Sequence, residues 1–278
     1  MKLKIAYQGV AGAYSHIASQ TVYPGQEYVS CPSFEEAFAA VSCEKADYAM
    51  IPVENSNAGR VSDVHFLLPQ TGLHIIGEFF LRIEHQLLGL PEAQLSDIKS
   101  ASSHPQALAQ CAHYLKKRKI RPIQRIDTAL SCQDILRNGD VSQAAIASSL
   151  AAEIYGLKIL ASNIENTADN TTRFLVMSRD GTPPQDDGGR FITSFIFKTR
   201  NIPAALYKAL GGFATNGINI TKLESYLLDG KFVSAQFYVE IESHPNRPNF
   251  KNALDELKFY AQDWHILGSY RAHPYRYL

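Results

Sequence analysis

The chain has 278 residues, more than one minimal core needs, so two or three compact units are expected. Hydrophobic residues make up 45% and charged residues 19%, a balance that excludes a disordered chain. Lys plus Arg equals Asp plus Glu at 27 each, which excludes the broad positive field that draws proteins to nucleic acid or anionic membrane, so an anionic ligand must be met locally.

The predicted elements begin at the first residues. Met1-Lys2-Leu3-Lys4-Ile5 reads straight into a strand over 3–7, without the apolar stretch and small-residue cleavage site of a signal peptide. No apolar run approaches the roughly 20 residues that span a bilayer, and a cytoplasmic protein is expected. A helix from about Ser15, a strand over 28–31, a helix over 34–41 and a strand over 48–53 follow. Ser33 with Glu36 forms a capping box at the start of the second helix. Such alternation of strand and helix predicts an α/β sheet. Between Leu73 and about Ile159 a second set appears, with a helix after Pro105, a helix over 130–136 capped by Asp127 and a strand over 144–147. Two lobes are therefore expected in residues 1–180, the second over about 76–160.

Residues 181–190 have the Pro, Gly and acidic content of an exposed linker. Beyond it, residues 191–278 read as strand 191–198, helix 203–214 with Pro203 in its first turn, strands 218–227 and 232–241, helix 250–259 and strand 265–270. That order is βαββαβ, the ferredoxin-like arrangement, with Asp229-Gly230 as the hairpin turn between its middle strands.

Cys31, Cys43, Cys111 and Cys132 form no Cys-x-x-Cys pair and are expected to be reduced and buried. The nine histidines show no metal-ligand spacing, so no metal is expected.

Four segments carry possible chemistry. Gly9-Val10-Ala11-Gly12-Ala13-Tyr14-Ser15 joins a strand to a helix whose first N–H groups can meet a carboxylate, although a tight connection would read the same. Pro52-Val53-Glu54-Asn55-Ser56 leaves an apolar strand at the kind of carboxyl end where open sheets bind ligands, or else supplies turn geometry. Ser103-His104-Pro105-Gln106 opens a helix on which Gln106 and Gln110 share a face, directed either to a ligand or to solvent. The polar run Asn166 to Asn170 leads into Thr171-Thr172-Arg173-Phe174, which sets hydroxyls beside a guanidinium, able to assist a departing oxygen and to pair with a carboxylate, or merely to begin a strand after an Asx turn with a surface arginine.

In this order, and ahead of a βαββαβ unit, the four segments resemble the prephenate dehydratase family, over essentially the whole chain. The resemblance implies a two-lobed catalytic domain like a periplasmic binding protein, followed by an ACT domain that binds phenylalanine. It implies Thr172 as the catalytic threonine with Arg173 beside it. It further implies that Asn55, Glu54, Ser56, Ser103, Gln110, Phe174, Gly12 and Ser15 bind or orient substrate. In the trailing unit, Ala204-Ala205-Leu206 matches the family's Gly-Ala-Leu effector segment, and Glu224-Ser225 the start of its Glu-Ser-Arg-Pro segment. Asn216-Gly217-Ile218-Asn219 offers backbone groups to an effector's charged ends and is also an ordinary glycine helix stop.

Val10 and Ala13 replace the Pro and Thr common in the first motif, a pattern similar to plant arogenate dehydratases. Tyr226-Leu227 replace Arg-Pro. With no chorismate mutase helix before Met1, the monofunctional form is expected. The implied reaction converts prephenate to phenylpyruvate, water and carbon dioxide without a cofactor. Phenylalanine is the expected feedback inhibitor and a homodimer or homotetramer the expected assembly. Arogenate dehydration on the same site and a non-catalytic amino-acid sensor are the alternatives.

Overall fold

A computed structural model describes residues 2–228 and 231–278, so the Asp229-Gly230 turn lies outside the described residues. The chain divides into two compact units, residues 1–64 with 79–174, and residues 65–78 with 175–278.

The first unit holds two α/β lobes. Its first lobe begins with β1 (Lys4–Gln8), α1 (Tyr14–Val22), β2 (Glu27–Cys31), α2 (Phe34–Ser42) and β3 (Tyr48–Asn55). The short β4 (Gly59–Arg60) comes next, and α3 (Ser62–Leu67) and β5 (His74–Arg82) each run across the division between the two units. The capping box at α2 forms as expected: Ser33 Oγ accepts from the Glu36 N–H at 3.2 Å. The sheet has the order β2-β1-β3-β11-β5, with β4 paired to β3 and with β11 (Thr171–Ser178) entering from far along the chain. β1 lies parallel to both β2 and β3.

The second lobe comprises β6 (Gln86–Gly89), β7 (Ser100–Ser103), α4 (Pro105–Gln110), α5 (Ala112–Arg118), β8 (Arg121–Gln124), α6 (Thr128–Asn138), β9 (Gln143–Ala147), α7 (Ser149–Tyr155) and β10 (Lys158–Ala161). Its sheet runs β10-β6-β9-β7-β8, and Leu87, Leu88, Ala145 and Ile146, all fully buried, lie at the centre of its core. Both lobe sheets therefore place helix starts after strands β1, β7 and β8, the end at which such sheets bind ligands.

The second unit carries the expected βαββαβ order: β12 (Phe191–Thr199), α8 (Ala205–Thr215), β13 (Ile220–Leu228), β14 (Lys231–Ile241), α9 (Pro248–Tyr260) and β15 (Ala261–Arg271). Its four strands form an antiparallel sheet in the order β13-β14-β12-β15. Phe195 and Phe213 stack beneath it with ring centres 5.5 Å apart. The two helices meet where Gly212 has no side chain, since a Cβ there would lie 2.8 Å from Glu256 Cβ.

Two expectations need correction. Helix α8 begins at Ala205 rather than Pro203, because Ala204 takes a left-handed conformation (φ 56°) that interrupts the turn. Cys43 is exposed, unlike the three other cysteines, because it ends α2 at the surface. Segment 181–190, expected as an exposed linker, has neither helix nor strand, and two of its carboxylates are paired. Asp186 pairs with Arg247 at 2.8 Å and Asp187 with Arg271 at 2.6 Å, and both carboxyls are held below their usual range chiefly by those hydrogen bonds.

Candidate active site

The two lobes of the first unit face a cleft of about 620 Å³, within the range that encloses small ligands. Ala13, Tyr14 and Ser15 reach it at the start of α1, Asn55 at the end of β3, and Thr172 and Phe174 from β11. The facing lobe contributes His104, Gln106 and Gln110 around α4, and Asp127 with Thr128 at the start of α6. Asp127 Oδ1 accepts the Ala129 and Leu130 N–H groups at 2.7 and 3.0 Å, the cap expected of it. His104 caps α4 by accepting from the Gln106 N–H at 3.3 Å.

Of the ten residues that the sequence nominated for this site, Thr172, Asn55, Gln110, Phe174 and Ser15 line the cleft. Arg173, Glu54, Ser56, Ser103 and Gly12 do not. Strand alternation explains two of the five: successive side chains point to opposite faces, so Thr172 and Phe174 turn Arg173 away, as Asn55 does Glu54. Arg173 is buried, its guanidinium carbon 5.9 Å from the Phe80 ring centre. Ser56 fastens the start of β11, its hydroxyl donating to Asp169 O at 2.7 Å and accepting from the Thr171 N–H at 3.0 Å. Ser103 donates to Ile146 O at 2.7 Å inside the second sheet.

Gly12 joins the lobes. Its φ is +90°, and an added Cβ would lie 2.8 Å from Ala151 Cα on α7. Ser148 Oγ donates to Gly12 O at 2.6 Å, and the Gly12 N–H donates to His16 Nδ1 at 3.1 Å. His16 stacks on Tyr7 with ring centres 4.9 Å apart, and its burial pushes its pKa down.

Thr172 is held by an extended polar network. Asn55 Nδ2 donates to Thr172 Oγ1 at 3.0 Å and to Asn170 Oδ1 at 2.8 Å, with a longer 3.3 Å approach to Thr171 O. Asn170 Nδ2 donates to Gln110 Oε1 at 3.0 Å, and the same oxygen lies 2.8 Å from His85 Nε2. His85 Nδ1 lies 2.8 Å from the Tyr14 hydroxyl. Burial, the largest influence, holds the His85 pKa down and pushes that of Tyr14 well up. Thr172 accepts from Asn55, so its own proton remains available to the cleft.

The sequence nominated none of Arg60, Asp127, His85, Tyr14 and Asn170 for the site, although Tyr14, Asp127 and Asn170 lie in segments it marked. Arg60 and Asp127 both line the cleft, as do Tyr14 and His85. A lone Arg after Ala58-Gly59 carries no pattern of its own, and Asp127 was visible only as a helix cap. Asn170, two residues before Thr172, was the one with a usable signal.

In the second unit, the nominated effector residues fall into separate places. Ala204, Ala205 and Leu206 open α8, whereas Asn216, Gly217, Ile218 and Asn219 follow its far end, about 16 Å away for an 11-residue helix. Asn216 Nδ2 is bonded to Gly212 O at 2.8 Å, Gly217 has φ 65°, Ile218 is core, and Asn219 Nδ2 donates to Glu242 at 2.8 Å. Glu224 and Ser225 lie on β13, with Glu224 3.5 Å from Lys222 Nζ.

Two α/β lobes that bring hydroxyl, amide and charged groups from both sides onto one cleft define a small-molecule site, of the kind that enzymes and binding proteins share. The sequence profile of the prephenate dehydratase family matches residues 5–182. A bifunctional N-acyl-homoserine lactone acylase/prephenate dehydratase from Komagataeibacter europaeus is 44% identical, covering 98% of this chain and 97% of that protein. Arogenate dehydratase/prephenate dehydratase 1 of Arabidopsis thaliana, a chloroplastic protein, is 38% identical over 97% of this chain and 72% of its own length. The solved prephenate dehydratase from Arthrobacter aurescens, in complex with L-Phe, superposes with a TM-score of 0.89 at 28% identity, covering 97% of this chain and 90% of that one. The chain belongs to the prephenate dehydratase family, a family of lyases. Among the described residues no helix is long and apolar enough to cross a membrane.

Proposed function

We propose that this protein catalyses the decarboxylating dehydration of prephenate to phenylpyruvate in phenylalanine biosynthesis. The ring carboxylate leaves as CO₂, its bonding pair enters the ring, and the ring C–O bond breaks at the opposite position. The departing hydroxide takes one proton to become water. Aromatisation drives the change, so the protein's task is to hold a dianion in the reacting geometry and to supply that proton.

The observation that carries this reading is the bond from Asn55 Nδ2 to Thr172 Oγ1 at 3.0 Å. It stabilises charge developing on the threonine oxygen while leaving the hydroxyl proton for the leaving group. Arg60, on the cleft wall, supplies positive charge for a substrate carboxylate, the task expected earlier of Arg173. The first N–H groups of α1, whose cap residue Ala13 bonds none of them through its side chain, supply a second anion-holding group.

Residues 191–278 serve, in this proposal, as an ACT domain through which phenylalanine inhibits. Because Ala204–Leu206 and Asn216–Asn219 lie at opposite ends of α8, an effector held by both must sit between two chains, in a homodimer or a homotetramer. A second reading takes arogenate as substrate, and Asp127 favours it. A carboxylate on the cleft wall suits the ammonium group that arogenate has in place of the prephenate ketone.

The test is phenylpyruvate formation from prephenate, with phenylalanine formation from arogenate measured beside it. Thr172→Ala should lower kcat about 10²- to 10³-fold, the usual cost of one oriented hydrogen bond to developing charge. A variant that keeps most of the wild-type kcat removes Thr172 from the chemistry.

A further inference from the structure

We infer that His85 is a positioning residue: as an Nε2–H donor it holds Gln110 Oε1 in the orientation that the Asn55–Asn170 end of the network demands, so that Gln110 faces the substrate with its amino group. The inference rests on the reading of the cleft as the elimination site.

Asn55 Oδ1 accepts two backbone N–H groups, from Asn57 at 3.1 Å and Ala58 at 3.0 Å. A backbone N–H cannot accept, so the Asn55 amide cannot be reversed and its Nδ2 must face Asn170 and Thr172. Asn170 must therefore turn Oδ1 toward Asn55 and Nδ2 toward Gln110, since the opposite orientation would set donor against donor. Gln110 must in turn present Oε1. That oxygen is also the neighbour of His85 Nε2 at 2.8 Å, and an amide oxygen has no proton to give. His85 Nε2 must carry the proton.

With the buried ring neutral, Nδ1 is bare and accepts from the Tyr14 hydroxyl at 2.8 Å. If the ring takes a second proton, Tyr14 can turn its hydroxyl to Glu84 O, also at 2.8 Å, and the Nε2–H remains in place. The chain from His85 to Thr172 therefore keeps its direction in either state.

The consequence appears on the cleft wall. Gln110 has its oxygen committed to Asn170 and His85, so its amino group is what it can offer to substrate. Thr172 has its oxygen committed to Asn55, so it offers its proton. Both are donors, suited to a substrate whose polar groups are carboxylates and a departing hydroxide. The network does not deliver protons, because its amide links hold theirs, and His85 acts through Gln110 rather than on the substrate.

Side-chain length makes the test. A glutamine at position 85 can place an amide nitrogen where Nε2 stands, whereas an asparagine reaches only the Nδ1 position and leaves Gln110 Oε1 facing a gap. His85→Asn should lower kcat about 10- to 100-fold, the range for removing one partner of a buried hydrogen bond, with KM changed less than about 3-fold. His85→Gln should recover at least about 10-fold of that loss. Equal loss in both variants, or loss that follows only the melting temperature, would make the histidine a packing residue and overturn the inference. Independently of turnover, long-range ¹H–¹⁵N spectra of histidine-labelled protein, with His85 assigned by its absence in His85→Gln, should show the Nε2–H tautomer. The Nδ1–H tautomer would overturn the polarity argument outright. Wild-type protein that converts neither prephenate nor arogenate would instead remove the proposed reaction, and with it the positioning role, while the spectrum still decides the direction of the network.

Discussion

Replacing Gly12 with alanine separates the two jobs that its loop can do. Sequence pattern assigns the glycine to a ligand-binding turn, whereas the fold sets it against α7 with φ +90° and no room for a side chain. Positive φ costs a non-glycine residue about 1–2 kcal/mol. The methyl would also meet Ala151 Cα at 2.8 Å and Cβ at 2.9 Å, and such overpacking against backbone typically adds about 1–3 kcal/mol. Gly12→Ala should therefore destabilise by about 2–5 kcal/mol, a fall in Tm of roughly 5–15 °C for a unit of this size. Gly25→Ala is the matched control: its φ is +72° but nothing lies within 4 Å of an added Cβ, so only the backbone cost of about 1–2 kcal/mol applies. Urea denaturation of both variants and the wild type, with kcat and KM measured below each transition, gives the difference between the two sites. A Gly12→Ala protein that melts no lower than Gly25→Ala, yet binds substrate more weakly, would refute the packing argument and return Gly12 to the ligand.

Three further outcomes are expected. The buried ring of His16 has a depressed pKa, so the unfolded chain takes a proton that the folded ring refuses. Stability present above about pH 6.5 should be lost as pH falls from there through the folded pKa, and His16→Asn, which keeps an acceptor for the Gly12 N–H, should flatten that slope in chemical denaturation followed against pH. Asp127→Asn retains a good helix cap while removing a charge from the cleft. It should lower kcat/KM for arogenate relative to prephenate about 10-fold, and an unchanged ratio would detach Asp127 from the substrate's amine. In the second unit, Arg276 joins Glu78 at 2.6 Å and Glu240 at 2.7 Å, both carboxylates buried. Arg276→Met should cost about 3–5 kcal/mol in urea denaturation by leaving those charges without their shared cation, and a loss below about 1 kcal/mol would show that other partners suffice.

Local patterns predicted the elements well because their causes are local. Ser33 and Asp127 cap α2 and α6 through atoms two or three residues away, and short, mostly apolar runs marked β12 and β9. Helix α8 was misjudged at its start because the left-handed turn at Ala204 is a backbone state that no residue type there demands. For the site, the motif located the right strand ends but not the right faces. Thr172 and Arg173 stand together in sequence, yet a strand separates them by half a turn.

By itself the sequence determined the α/β class, the βαββαβ order of residues 191–278, the cleft segments and the family to which they belong. These depend on periodicity, capping and motif chemistry, which act over a few residues. Only the tertiary structure decided that Gly12 packs on Ala151, that Arg60 and Asp127 line the cleft, and that His85, Gln110, Asn170 and Asn55 join in one hydrogen-bonded chain to Thr172. Asn55 and Asn170 are 115 positions apart, and the direction of a hydrogen bond depends on what both its ends can donate or accept once they meet.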